Sequence, residues 1–208
     1  ITDARAAVDR FVGDLLDQGD EAFIASFNHA PRIVSQWTRP PSALRGRLND
    51  VRPTGGTAIY DAIVSTGFLF NGRQHTRAAL IVISDGADTA SDYTLMQARD
   101  AVRRTDPFIY AVAIDSGDKT RVSTRVNPDA LREITGPSGG YTEVIHSASD
   151  LGPATERIAN ELNKQYTLGY APTKPPDGQW RSIRVRIRDK DYFARARRGY
   201  YAVPRRPS

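Results

Sequence analysis

Ala79-Leu80-Ile81-Val82-Ile83 has no polar side chain and runs straight into Ser84-Asp85-Gly86. A strand that is apolar at every position must be covered on both faces, which is the condition of a parallel sheet sandwiched between helices. Ahead of it, Gly55-Gly56-Thr57 opens a segment whose Ala58, Ile59, Ala62, Ile63, Thr66 and Leu69 recur at the helical period. These two segments put a hydroxyl and a carboxylate on neighbouring loops at the carboxyl side of the sheet, where α/β folds hold their ligands. Paired hard oxygens suit Mg²⁺ or Ca²⁺ better than a softer metal.

The rest of the chain fits the same architecture up to about residue 165. Asp3 to Leu16 reads as an amphipathic helix, stopped by Gln18-Gly19-Asp20. Ala22 to Phe27 and Arg32 to Thr38 read as strands. The short turn between them, Asn28-His29-Ala30-Pro31, permits only an antiparallel hairpin, with the second strand at an edge. Ser42 is placed to cap a short helix through Leu44 and Leu48. Helices are expected at 94–104, from Asn127-Pro128 through Ile134, and from Ser149 or Asp150 to about Lys164; strands are expected at 108–114 and 141–145. The fold class is therefore α/β: a doubly wound, mostly parallel sheet with one antiparallel edge strand.

Beyond Lys164 the pattern changes. Tyr166 to Tyr170, Arg181 to Arg188 and Tyr192 to Ala202 read as strands with no helices between them. Ile183, Val185 and Ile187 alternate with Arg184, Arg186 and Arg188, which predicts a sheet with its apolar side chains against the protein and its arginines in water. The expected division is 1–165 for the α/β domain and 166–208 for an antiparallel β extension packed on it. Three short strands are too few to stand alone without a disulfide or metal.

Composition excludes several chemistries. Among 208 residues there is no cysteine, hence no disulfide, thiolate metal site or cysteine nucleophile. The three histidines, His29, His75 and His146, have no zinc-binding spacing, and no Gly-x-x-x-x-Gly-Lys phosphate loop is present. No apolar run approaches the ~20 residues that span a bilayer. The net charge of +5 is concentrated: residues 181–206 hold nine Arg and one Lys against Asp189 and Asp191. Such a basic segment can bind nucleic acid or an anionic surface, or simply solubilise an edge; the solubilising role is favoured. The chain opens on Ile1, so the lack of a leader here is uninformative.

Five segments in order resemble the von Willebrand factor type A domain, and within it the bacterial VWFA-related group of Acidobacteria and similar organisms. They are Phe23-Ile24-Ala25-Ser26-Phe27-Asn28, Arg52 to Ala62 around Gly55-Gly56-Thr57, Leu80 to Thr89 around Ser84-Asp85-Gly86, Gln165 to Tyr170, and Arg197 to Ala202. The resemblance implies a metal-ion-dependent adhesion site built from three loops, with Thr57 as the second-loop ligand and Asp85 as the third-loop one. The family's first strand and its Asp-x-Ser-x-Ser loop would lie just before residue 1. Asp115-Ser116-Gly117-Asp118 is only superficially similar, with Gly117 and Lys119 at the serine positions. Because the family's first strand is central, its loss should leave a gap between 22–27 and 79–84 or force them to pair directly.

With Thr57 and Asp85 alone, a six-coordinate ion lacks most of its protein ligands. Mg²⁺, Ca²⁺ or Mn²⁺ is thus expected in a full-length parent, and weak or no binding in this chain. Gly55, Gly56, Ser84, Gly86, Asp61 and Asp88 are expected as support around the ligands. Plainer roles stand beside these: Thr57 as a helix N-cap, Asp85-Gly86 as a turn, Asp88 as a cap for the helix at 94–104, and Asp61 as a solvated or buried polar group. The resemblance implies a non-enzymatic protein-binding or adhesion module. Its partner would offer an acidic side chain, without a small-molecule substrate, in an extracellular, periplasmic or envelope setting. The alternatives are an Arg-rich sheet binding nucleic acid or an anionic surface, and a hydrolase or phosphotransfer enzyme whose nucleophile loop is missing.

Overall fold

A computed structural model describes residues 2–49, 51, 55–115 and 126–203. Three parallel strands form the centre: β3 (Ala79–Ser84), β4 (Phe108–Ile114) and β5 (Thr142–Ile145), hydrogen-bonded in the order β3-β4-β5. Alternation along β4 sends its side chains to two cores. Ile109, Ala111 and Ala113 meet α2 (Ile59–Gly67), α3 (Leu95–Arg104) and α4 (Pro128–Ser138) on one face. Tyr110 and Val112 meet α1 (Thr2–Arg10) and α5 (Leu151–Asn163) on the other. The sheet is doubly wound, as the continuous apolar runs require. α1 continues as a π-helical turn over Phe11–Leu15.

Local chemistry explains three helix ends. Thr94 caps α3 with a complete capping box: its hydroxyl accepts from Gln97 N, and the Gln97 side chain accepts from Thr94 N. Asn127 caps α4 by accepting from Ala130 N. Gly139, at φ 94°, closes α4 in the left-handed conformation that glycine adopts without cost. Ser42 does not act as a cap. It lies inside a 3-10 turn, Pro41–Leu44, whose N-terminal flank is Pro40.

β1 (Ala22–Phe27) and β2 (Pro31–Thr38) form the expected antiparallel hairpin. They do not pair with β3. The two ladders flank a cavity of about 1620 Å³ lined by residues of β1 on one side and β3 on the other. Contacts at both ends fix the relative direction of the strands. Glu21 Oε1, just before β1, accepts from Gln74 N at 2.5 Å and His75 N at 3.2 Å, just before β3. At the far ends, Asn28 O accepts from Ala58 N at 2.7 Å, and Thr57 O accepts from Thr89 N at 2.9 Å. β1 and β3 therefore run side by side in one direction, separated by a slot. Val8, Phe11 and Val12 from α1 and its π-helical turn, with Ala62, Ile63 and Thr66 from α2, line its walls.

The C-terminal region departs from the sequence expectation. Among its described residues only Trp180–Ser182 (β6) and Gly199–Tyr201 (β7) pair as strands, antiparallel and three residues long. Residues 166–170 form no strand. Val185 and Ile187, expected against the protein, are 38% and 45% exposed. Ile183 is half-buried as expected, but cover falls away along the face toward Ile187. What attaches this region is arginine and aromatic chemistry at the amino edge of the sheet. Arg197 donates to Thr105 O and Arg103 O, Arg103 lies 5.4 Å from the Trp180 ring centre, and Arg104 lies 4.6 Å from that of Tyr201. Arg195 lies 4.3 Å from the Tyr141 ring centre and pairs with Glu161.

Candidate functional site

The carboxyl end of β3 and the amino end of α2 meet at one rim of the slot, where Gly55, Gly56, Thr57, Ser84, Asp85 and Gly86 all line the cavity. Gly55 has φ 80°, and a Cβ there would run into the His29 ring. A Cβ on Gly56 would sit 2.7 Å from Ala90 Cβ, and the Gly56 N–H points at His29, 3.3 Å from each ring nitrogen. The glycine pair is thus demanded by both backbone and neighbours. On the other loop, Ser84 Oγ donates to Gly86 O and accepts from Gly86 N, folding the chain back after Asp85.

The two loops are stitched together. Thr57 O accepts from Thr89 N and Ala90 N, while Thr57 N donates to Thr89 Oγ1 at 3.0 Å. Asp88 Oδ2 accepts from Tyr60 N at 3.0 Å and from Ser91 Oγ at 2.6 Å. Ser91 Oγ in turn accepts from Asp61 N at 3.1 Å. Asp61, almost fully buried, accepts from Asp92 N at 3.1 Å and Tyr93 N at 2.9 Å. The first-turn N–H groups of α2, which no residue of its own helix can satisfy, are capped from across the gap by the other loop. The Tyr60 phenol is pushed up by burial first, then by the carboxylates of Asp88 and Glu133.

This arrangement assigns the acidic residues to different tasks. Asp61 and Asp88 are occupied by backbone N–H groups, and Asp88 caps α2 rather than α3, whose cap is Thr94. Thr57 is not the N-cap of α2; Ala58 holds that position, with no side-chain bond. Among the described residues, neither the Thr57 hydroxyl nor the Asp85 carboxylate has a hydrogen-bond partner. Asp85 is exposed. The rim therefore presents one hydroxyl and one carboxylate with open coordination on a backbone held from several directions. Asp115, after β4, lines the same cavity, whereas Ser116, Gly117 and Asp118 lie outside the described residues. No group of three or more His, Asp or Glu side chains among the described residues could hold a metal.

Sequence reasoning passed over three residues here. Thr89 and Ser91 tie the loops together, and His29 backs the glycine pair. Asp88-Thr89-Ala90-Ser91 does carry a local signal, a carboxylate three residues before a hydroxyl, which favours a side-chain-bonded turn. His29 has none, because its contact spans the hairpin turn and a distant loop.

A sequence profile described as von Willebrand factor type A domain matches residues 1–87. Solved structures share the fold at low identity. A von Willebrand factor type A protein from Catenulispora acidiphila is 17% identical with a TM-score of 0.65, over 77% of this chain and 38% of that one. The vWF domain of the type V pili tip protein Mfa5 from Porphyromonas gingivalis is 13% identical with a TM-score of 0.63, over 82% and 90%. Proximal thread matrix protein 1 from the mussel byssus, solved with a zinc-occupied MIDAS motif, is 13% identical with a TM-score of 0.58, over 78% and 42%. The chain thus spans less than half of the Catenulispora and mussel proteins. No curated protein matches it. The chain thus has the fold of von Willebrand factor type A domains, and residues 1–87 match that family's profile.

Proposed function

We propose that this chain is the platform of a non-enzymatic, cation-dependent protein-binding module, working in the cell envelope or outside the cell. The observation that carries the reading is the division of labour at the rim. Asp61 and Asp88 are consumed in holding the two loops together, while Thr57 and Asp85 present oxygens with no partner among the described residues at the mouth of one cavity. A hydroxyl and a carboxylate fit a hard divalent cation in kind and fall short of it in number, since Mg²⁺ takes about six oxygens. Mg²⁺ is the proposed ion, with Ca²⁺, Mn²⁺ and Zn²⁺ as competitors; a relative with a zinc-occupied site makes the last worth including. An open coordination position would receive an acidic side chain of the partner.

The slot supplies the remaining ligands in this reading. A strand seated between β1 and β3 would run parallel to both, span about six residues or ~20 Å, and be apolar on both faces. Its carboxyl end would leave the slot beside Thr57 and Asp85. The amino end of α1 lies at that same end, where Arg5 donates to Val51 O. A strand leading into α1 and then β1 makes an ordinary parallel crossover unit. The polypeptide joined to the amino side of residue 1 is thus the proposed source of both strand and missing ligands.

Calorimetric titration with Mg²⁺ tests this. Residues 1–208 alone should bind weakly or not at all. The chain lengthened upstream through an apolar strand and its following loop should bind, and Thr57→Ala or Asp85→Ala in that longer form should abolish binding while leaving the circular dichroism unchanged. Tight binding by residues 1–208, or metal binding undiminished in both variants, would reject the assignment.

A further inference from the structure

Between β6 and the turn at Asp189 runs an arm outside regular structure, Arg184-Val185-Arg186-Ile187-Arg188, exposed at every residue. One end is held: β6 pairs with β7, and Ile183 N donates to Arg198 O at 2.8 Å. Past the other end the chain turns on itself, with Asp191 N donating to Asp189 Oδ1 at 3.0 Å. Yet none of the arm's backbone groups bonds to a described residue, and none of its three guanidinium groups has a carboxylate partner among them. The arm, tethered at β6, therefore carries three unmet demands: unpaired N–H and C=O groups, exposed apolar side chains and exposed guanidinium groups.

We propose that this arm is a docking edge to which an acidic, extended segment of a partner protein adds as a β-strand. Each demand narrows the occupant. Main-chain pairing is what strand addition supplies, and opposite charges at facing positions of a strand pair are favourable. A segment alternating Asp or Glu with apolar residues answers the arginines on one face and Val185 and Ile187 on the other. A bilayer would take the apolar side chains but leave the backbone groups unsatisfied in hydrocarbon. A nucleic acid would take the guanidinium groups and leave Val185 and Ile187 in water. A second copy of the arm would set arginine against arginine. This edge lies on the region attached to the amino side of the sheet, away from the rim of Thr57 and Asp85, and its occupancy does not depend on a cation.

The probe is a fluorescein-labelled eight-residue peptide alternating Glu and Val, followed by anisotropy against residues 1–208. Saturable binding is expected, unchanged by EDTA or by Thr57→Ala. It should weaken at least tenfold when Arg184, Arg186 and Arg188 are all replaced by Ser, and at least tenfold when every peptide nitrogen of the probe is methylated. The arginines are exposed, so the triple variant should keep its circular dichroism and melting temperature. If the methylated peptide binds as well as the parent, the contact is not strand addition and the proposal fails. Heparin, single-stranded DNA or phosphatidylglycerol vesicles binding as tightly as the peptide would overturn it in favour of a general polyanion site.

Discussion

The rim loops and the C-terminal ribbon both lack regular structure over most of their length, and the protein fixes them by opposite means. At the rim, residues 55–61 and 85–93 are bound to each other by reciprocal short-range hydrogen bonds, with Asp61 and Asp88 each satisfying more than one donor. The ribbon after α5 is attached at separated points by long cationic side chains, while Tyr166, Leu168, Tyr192 and Phe193 stay more than two-thirds exposed. Buried polar networks fail together when a member is lost, because each orphaned group incurs its full desolvation cost. Point attachments fail one at a time. The rim should therefore behave as one cooperative unit and the ribbon as a series of independent anchors.

Asp61→Ala is the largest expected disturbance. It orphans Asp92 N and Tyr93 N, at about 1–3 kcal/mol for a buried unsatisfied group. Urea unfolding should show a loss of about 2–3 kcal/mol, the sum over two orphaned amides, each discounted because Asp92 and Tyr93 are exposed. Amide exchange should accelerate at Tyr60, Thr89 and Ala90 together. Acceleration confined to Asp92 and Tyr93 would break the cooperative picture.

Arg197→Ala comes next. Burial pushes its guanidinium below the ordinary arginine value, with Asp106 opposing that shift, and its donors hold two carbonyls on the body. Removing a charge-assisted anchor of this kind costs about 1–2 kcal/mol, discounted because the freed carbonyls can meet water. Limited proteolysis should then cut within residues 166–203 while exchange at the rim stays unchanged. Coupled loosening of both regions would show that they are less independent than their contacts indicate.

The smallest effect is alkaline. The Tyr110 phenol, held by Glu161 at 3.1 Å, is pushed far above its ordinary value of 10.0, by burial first and then by that carboxylate. A folded-state value above the unfolded one means that the unfolded chain loses its proton first. Stability is therefore fully present below about pH 10 and declines as pH rises beyond it. Tyr110→Phe should flatten that decline, with Tyr60 and Tyr141, both also raised, contributing what remains. An unchanged alkaline slope in Tyr110→Phe would remove Tyr110 from this role.

How much was legible follows the same contrast. Continuous apolar runs at 79–83 and 108–114 announced parallel strands covered on both faces, because burial on two sides leaves no room for polar residues. That Thr57 and Asp85 line one cavity was legible because each borders an element, α2 or β3, whose direction the pattern sets. The tasks of Asp61 and Asp88 were not, since their acceptors meet donors about 30 residues away across a loop, a relation with no period in the sequence. The ribbon was misread for another reason. Alternation at 183–188 states which side chains share a face, and says nothing about whether the protein provides a surface for that face to cover.

The slot between β1 and β3 has a practical consequence for anyone handling the chain. A hydrophobic reporter dye such as anilinonaphthalene sulfonate lights up on accessible apolar surface, and its signal is routinely taken as the mark of a loosely packed intermediate. Here a cavity of about 1620 Å³, walled by Phe11, Val12, Ile63 and Ile81, offers such surface within ordered strands and helices. Bright dye fluorescence beside a sharp near-ultraviolet dichroism spectrum would then report an unfilled seat in a folded protein.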